Sequence, residues 1–254
     1  MTFQNCSVAN QNEFNNRGFV HIKNFFSPEM CASVCSALGS LDSTLVDSVP
    51  LSRSTFFHPA GQKNLQYSGL TYLQKASLFV SGITGFKNLP LLLFASTLLG
   101  VDDTFFSDDE VHIRQPFSNH EIPAHQDNFY FGLQSAKALT CYVYLTSQDR
   151  SSGGLGFLPT TTVCSTDDHD PSTILGFSSY NKYIEMNRKE EFCYPLTSPG
   201  DVIFHHSNTY HRSFSNTTTD ATASLSIRVF SNSNLTRSQS IQEQYQSNLK
   251  INRI

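Results

Sequence analysis

Apolar and polar positions recur along this chain in two regimes. Before residue 111 the spacing is largely helical, and from Val111 onward it is that of short strands. Gly18-Phe19-Val20-His21-Ile22-Lys23 alternates and reads as an early strand. Ser27-Pro28-Glu29 then opens a helix, with Ser27 as N-cap, proline at the first helical position and an acid in the first turn. Val34, Cys35 and Leu38 repeat at helical spacing, and Gly39 is the expected stop. Residues 40–64, rich in Ser, Pro and Gly, read as a long loop. A second helical pattern covers Leu70 to Val80. A third runs from Asn88 as N-cap through Pro90 to Leu99, with Gly100 behind it. Asp102, Asp103, Asp108 and Asp109 read as a solvated acidic loop.

The strand candidates are Val111–Gln115, Ala138–Leu145, Gly154–Leu158, Phe192–Leu196, Asp201–His206, His211–Phe214 and Ser224–Phe230, separated by turn residues. Many short strands after a helical opening predict a mainly β protein with flanking helices, a sandwich or barrel. Residues 165–191 are polar and read as an insertion. The Ser-, Asn- and Gln-rich stretch 231–254 reads as a polar tail. No repeat or linker divides the chain. The expectation is one domain over 1–254: a helical part to about 110, a β core over about 111–230, then the tail.

Composition narrows the function classes. A net charge of −4 without any run of Lys or Arg argues against nucleic-acid binding and against attraction to anionic membranes. The longest apolar run, Leu89 to Leu99, is broken by Pro90 and Ser96 and is too short to span a bilayer. The first 16 residues are polar, unlike a secretory signal. Six cysteines at irregular spacing, without a C-x-x-C, read as reduced thiols. A cytoplasmic protein is expected.

Candidate chemistry centres on Pro123-Ala124-His125-Gln126-Asp127-Asn128-Phe129-Tyr130-Phe131. On an extended strand His125 and Asp127 project to one face, about 6–7 Å apart. On the same parity Phe129 and Phe131 would join them, the aromatics dividing between core and pocket. An imidazole and a carboxylate are two metal ligands in need of a third. Gly200-Asp201-Val202-Ile203-Phe204-His205-His206 and the following His211 offer His205, His206 and His211. Two histidines and one carboxylate with open positions opposite is the ligand set of non-haem Fe(II) oxygenases.

These motifs, in this order, resemble the phytanoyl-CoA dioxygenase-like family of Fe(II)- and 2-oxoglutarate-dependent oxygenases, from about Phe14 to Phe230. The resemblance is carried by the early Gly-Phe-Val-x-Ile-Lys segment, the Pro-x-His-Gln-Asp run, Tyr142-Val-Tyr-Leu145 with Gly153 to Pro159, and Gly200-Asp-Val-Ile-Phe-His-His leading to His211-Arg-Ser. It implies a double-stranded β-helix (jelly-roll, cupin-like) core, with His125, Asp127 and His211 as iron ligands and catalytic residues. It also implies 2-oxoglutarate and O2 as cosubstrates, and oxidation, usually hydroxylation, of a small organic molecule. Ser213, two residues beyond His211, is placed to donate to the oxoacid. Under the same resemblance Tyr142, on a central strand, is a cofactor-binding candidate.

Two segments depart from the family pattern. The arginine that would pair with the far carboxylate of 2-oxoglutarate belongs near position 222, where this chain has Ala221-Thr222-Ala223. The loop after the central strand reads Pro159-Thr160-Thr161-Thr162. Three repairs are open. Arg114, sharing a strand face with His112, reaches the pocket; or Arg212 or Arg228 swings in; or Thr222 and Ser213 bind another oxoacid or none. The alternative function is a metal-binding β-sandwich, non-catalytic or altered in its cosubstrate, that binds a small molecule or partner. Without a basic patch, a CoA thioester is a disfavoured substrate.

Overall fold

The computed structural model describes residues 5–41, 55–57, 65–161, 164–173 and 177–233. Most of the loop expected at 40–64, Thr162, and the tail beyond Ser233 lie outside the described residues. The chain opens with a helix that the polar composition of its first residues concealed, α1 (Val8–Arg17). Its apolar stripe is a single buried residue, Phe14, so periodicity could not announce it. Its ends are nonetheless well specified. Ser7 and Asn10 form a reciprocal capping box, and Gly18 closes the helix at φ 78°.

The strand β1 (Phe19–Ile22) and the helix α2 (Pro28–Gly39) follow as expected, the latter capped by the Ser27 side chain. The strand β2 (Thr55–Phe57) comes next. The helical expectation over Leu70–Val80 is wrong. Residues Leu70–Gln74 form the strand β3, and Ala76–Leu78 form a single 3-10 turn. The short apolar spacing there suits either state, and pairing of Tyr72 and Gln74 with the neighbouring strand decides it. The helix α3 (Leu89–Leu99) has the expected Asn88 cap and left-handed Gly100.

The next strand, β4 (Thr104–Arg114), is longer than expected and takes Asp108 and Asp109 into the sheet, leaving Asp102 and Asp103 before it. Asp109 is buried, where it accepts from Ser77 and pairs with Lys87 at 2.9 Å. The solvated-loop reading fails there because the partners lie far away in sequence. Then come β5 (Ile122–His125), the short helix α4 (Asp127–Phe131), β6 (Ala138–Tyr144), β7 (Leu155–Phe157), the two-residue strands β8 (Asp170–Pro171) and β9 (Ser179–Tyr180), and α5 (Lys182–Asn187). The strands β10 (Val202–His206), β11 (His211–Ser213) and β12 (Thr222–Ser231) complete the fold. Phe192–Leu196 makes no strand, only an isolated bridge from Cys193 to Phe157.

Among the described residues the strands form three antiparallel sheets, a large one in the order β1-β10-β6-β12-β4-β3-β2, a small one in the order β5-β11-β7, and the two-stranded pair β8-β9. The expected jelly-roll class is therefore correct. Alternation divides the large sheet. Leu139, Cys141 and Val143 of β6 and Ala223, Leu225, Ile227 and Val229 of β12 join the core packed under α2 and α3. Their neighbours face the small sheet. On one side that inner space is apolar, with Phe19, Tyr144, Ile203 and Phe157 in one cluster. On the other it is lined by polar side chains of β4 and β12, and there the candidate site lies.

The Gly200-Asp201 pair is structural. A Cβ at Gly200 (φ 91°) would sit 2.1 Å from the Phe26 carbonyl oxygen. The Asp201 carboxylate accepts from the Asn24 and Ser198 amides and lies 3.0 Å from His21 Nε2.

Candidate active site

The strands β5 and β11 pair so that His125 and His211 stand directly opposite each other, with ring centroids 4.1 Å apart. The third group arrives differently from the extended-strand expectation. The strand ends at His125, and Asp127 is the first residue of α4. Phe129 and Phe131 therefore do not share a strand face with the two ligand candidates. Phe129 stacks on His169, and Phe131 packs on Phe230. The turn between His125 and Asp127 is pinned by its own backbone and side chains. The Gln126 amide donates to His169 Nε2, its side chain donates to the Asn208 carbonyl, and the Asn128 amide donates to the Ser207 carbonyl.

Each of the two imidazoles has its tautomer fixed in the same way. His125 Nδ1–H donates to the Pro123 carbonyl at 2.9 Å, and His211 Nδ1–H donates to the Thr209 carbonyl at 3.1 Å. Both Nε2 lone pairs are then left facing Asp127 Oδ1, at 3.8 and 3.6 Å. Those distances are too long for hydrogen bonds. Three acceptor atoms, all within 4.8 Å of one another, thus converge with no proton between them. That donor set, two neutral imidazoles and one carboxylate, fits a divalent transition metal.

Electrostatics reinforce the arrangement. Burial opposes ionisation of Asp127, but its electrostatic interactions with the neighbouring His211, His205 and Arg228 prevail and hold its pKa well below the usual carboxylate range. Burial holds His125 well below its ordinary value, and the neighbouring His211 adds to the effect. Sequence reasoning missed one supporting residue. Thr140, on β6, donates to Asp127 Oδ2 at 2.8 Å and leaves Oδ1 for the histidine side. Only the β6 register brings that hydroxyl to the site, so no local motif signals it.

The competing histidines are placed otherwise. His206 points away from the inter-sheet space, with its ring edge-on to Phe14 and Nδ1 accepting the Asn208 amide. His205 packs inside, 4.5 Å from the His211 ring and 5.3 Å from that of Phe157, but it is not part of the converging group.

Of the three proposed cations, two are already committed. Arg228 makes a bidentate pair with Glu110 at 2.7 and 2.6 Å and stands over Phe131. Arg212 pairs with Glu185 at 3.0 Å on the far side of β11. Arg114 is different. The β4–β12 register sets it directly opposite Thr222, where the family arginine is missing. Its guanidinium is buried, donates to Ser213 Oγ at 2.6 Å and contacts His120 Nδ1 at 3.0 Å. No carboxylate among the described residues pairs with it, and burial lowers its pKa. It is not a surface cation. Gly153 makes room for it, since a Cβ there would meet Arg114 Cγ at 3.0 Å.

The remaining residues singled out from the sequence line the same face. His112 Nε2 is 3.2 Å from Ser226 Oγ, and its ring lies 5.3 Å from Tyr72 and 5.9 Å from Tyr142. Tyr142 is buried, which raises its pKa, so it stands as a neutral phenol. Thr222 donates to the Ser152 carbonyl.

A family model describing phytanoyl-CoA dioxygenase (PhyH) matches residues 14–223. The chain belongs to that family. Its members are iron- and 2-oxoglutarate-dependent oxygenases, and this chain is accordingly a non-haem dioxygenase. No curated protein matches the sequence. Among solved structures, similarity extends to the non-heme α-ketoglutarate-dependent carbocyclase SnoK from nogalamycin biosynthesis. That match has 16% identity and a TM-score of 0.72, covering 93% of this chain and 89% of SnoK. EctD from S. alaskensis, solved with 2-oxoglutarate and 5-hydroxyectoine, matches at 18% identity and a TM-score of 0.70, over 91% of this chain and 78% of EctD. The epimerase SnoN, solved with Fe3+, α-ketoglutarate and nogalamycin RO, matches at 18% identity and a TM-score of 0.66, over 91% and 85%. At these identities the likeness concerns the fold.

Proposed function

We propose that His125, Asp127 and His211 hold the Fe(II), and that Arg114 with Ser213 anchors the far carboxylate of 2-oxoglutarate. What supports the first half is the convergence of three unprotonated donors whose second atoms are each occupied by a hydrogen bond. What supports the second is a buried guanidinium that pairs with no carboxylate among the described residues and stands beside a hydroxyl of the His211 strand. Burying a cation unpaired is costly, and a ligand carboxylate offsets that cost with two parallel hydrogen bonds.

When bound, the iron would supply the oxidation of a substrate C–H bond by O2, coupled to decarboxylation of the oxoacid. The chain's own groups prepare that site. Thr140 orients Asp127, the Pro123 and Thr209 carbonyls hold the Nδ1–H tautomers that turn both Nε2 atoms toward Asp127, and His112 and Tyr142 present polar edges from the large sheet. The cosubstrate-altered alternative drew its support from the vacancy at position 222 and from the altered Pro159–Thr162 segment, and the cross-strand position of Arg114 weighs against the first of these.

The first 110 residues contribute β1, β2 and β3 to the same sheet as β6, β10 and β12, which supports reading 1–254 as one oxygenase-like domain. All six cysteines are free, which favours a reducing, cytoplasmic setting. Among the described residues no helix is long and apolar enough to cross a membrane. The proposal is tested by Fe(II)-dependent succinate formation from 2-oxoglutarate under air. The wild type should exceed an Asp127→Ala variant that keeps its fold. Equal succinate from the two proteins would contradict the assignment.

A further inference from the structure

The hydrogen-bonded ladder between β5 and β11 is irregular right beside the two histidines. His211 pairs with His125, yet Ser213 pairs with Ile122, so β5 spends one residue more than β11 over the same span. The two residues left in that bulge are Pro123, which has no N–H, and Ala124, whose N–H lacks a place in the ladder. The polar insertion supplies what is missing. Glu185, on α5, accepts the Ala124 amide through Oε2 at 2.8 Å and pairs with Arg212 through Oε1 at 3.0 Å. Ala124 directly precedes His125, and Arg212 directly follows His211.

One carboxylate therefore spans both histidine strands, on the face opposite the metal donors. Its support is specific. Arg212 is buried with its guanidinium 4.0 Å from the Phe214 ring centre, and the next carboxylate, Glu121, is farther away at 3.5 Å. The helix carrying Glu185 is itself tied to β5, since the Asn181 amide donates to the Ala124 carbonyl and the Asn181 side chain caps α5.

We infer that Glu185 is a positioning residue for the metal centre: it clasps β5 to β11 and thereby sets the separation of His125 and His211. This rests on the reading of those histidines as ligands. Groups behind a metal's ligands commonly change its affinity by 10- to 100-fold. Gln at this position can accept from one strand but presents its NH2 to the other, so it would serve half of the clasp. Replacing both charged partners, Glu185→Met with Arg212→Met, removes the clasp without leaving an unpaired buried charge.

The test is Co(II) titration of the metal-free protein, followed by its visible bands, together with thermal unfolding of the same metal-free samples. In the double variant Co(II) affinity should fall about 10-fold or more, with altered bands and cooperative unfolding retained. Glu185→Gln should lie between it and wild type. A folded double variant with wild-type affinity and bands would overturn the proposal. If the double variant does not fold, wild-type Co(II) behaviour in Glu185→Gln overturns it equally. Failure of the wild type to bind Co(II) at all would instead remove the ligand assignment on which the clasp depends.

Discussion

The proposed relocation of a cation across one register pair can be tested by moving it back. Arg114 on β4 and Thr222 on β12 are direct partners, so their Cβ atoms stand about 5 Å apart. An Arg114→Thr variant removes the guanidinium proposed to hold the cosubstrate. Truncating one member of a buried charge pair costs about 2–5 kcal/mol, so 2-oxoglutarate affinity should fall about 30- to 5,000-fold. Stability should not fall in parallel. Among the described residues Arg114 has no carboxylate partner and its burial is already unfavourable, so losing it should leave the melting temperature of the cosubstrate-free protein unchanged or higher. Arg114→Thr combined with Thr222→Arg returns the guanidinium to the neighbouring strand, within reach of Ser213, and should recover affinity to within about tenfold of wild type. Anaerobic calorimetry with a redox-inert divalent metal measures all three proteins. If Arg114→Thr binds 2-oxoglutarate within about threefold of wild type, the anchor is elsewhere and the argument from the unpaired cation fails.

Other expectations follow from single contacts. Thr140→Val keeps the shape of the side chain but leaves Asp127 Oδ2 without its donor, and metal affinity should drop about tenfold by titration; no change would remove Thr140 from the site. Gly200→Ala puts a Cβ 2.1 Å from a backbone oxygen at positive φ, and should lower stability by about 2 kcal/mol or more in urea unfolding, a neutral result being incompatible with the turn described. His125, His205 and His206 are all buried as neutral imidazoles, His205 held down to about 3 and His206 to about 4, chiefly by burial. The unfolded chain takes up their protons near pH 6.5 and the folded chain does not. Their contribution is therefore complete above that pH and shrinks as pH falls toward 4. Between pH 6.5 and 5.5 the metal-free protein should lose about 1 kcal/mol per imidazole, about 3 in all, and a flat urea midpoint over that range would refute the burial argument.

Much of this architecture is readable from local signals. Ser27 with Pro28, and Asn88 with Pro90 and Gly100, mark helix ends that the structure reproduces, because caps act within one turn of the chain. The strands β6, β10 and β12 announce themselves by apolar and β-branched content, and the His-x-Asp and distal His motifs mark the donors. What stayed hidden depends on register and on distant partners. Nothing near Arg114 says that it will face Thr222, nor near Thr140 that it will meet Asp127. The helix α1 buries one side chain and so carries no stripe. The extended reading of Asp127 failed because Gln126 and Asn128 fold the chain back through hydrogen bonds to residues far downstream.

In the proposed reading one site holds both the metal and the oxoacid. Joint binding is tested most directly by adding Fe(II) and then 2-oxoglutarate to the protein without oxygen and recording the visible spectrum. A weak charge-transfer band should appear only when both are present, vanish in His211→Ala, and need far more 2-oxoglutarate in Arg114→Thr. Fe(II) binding with no spectral response to 2-oxoglutarate would contradict the account and leave a metal site without its cosubstrate.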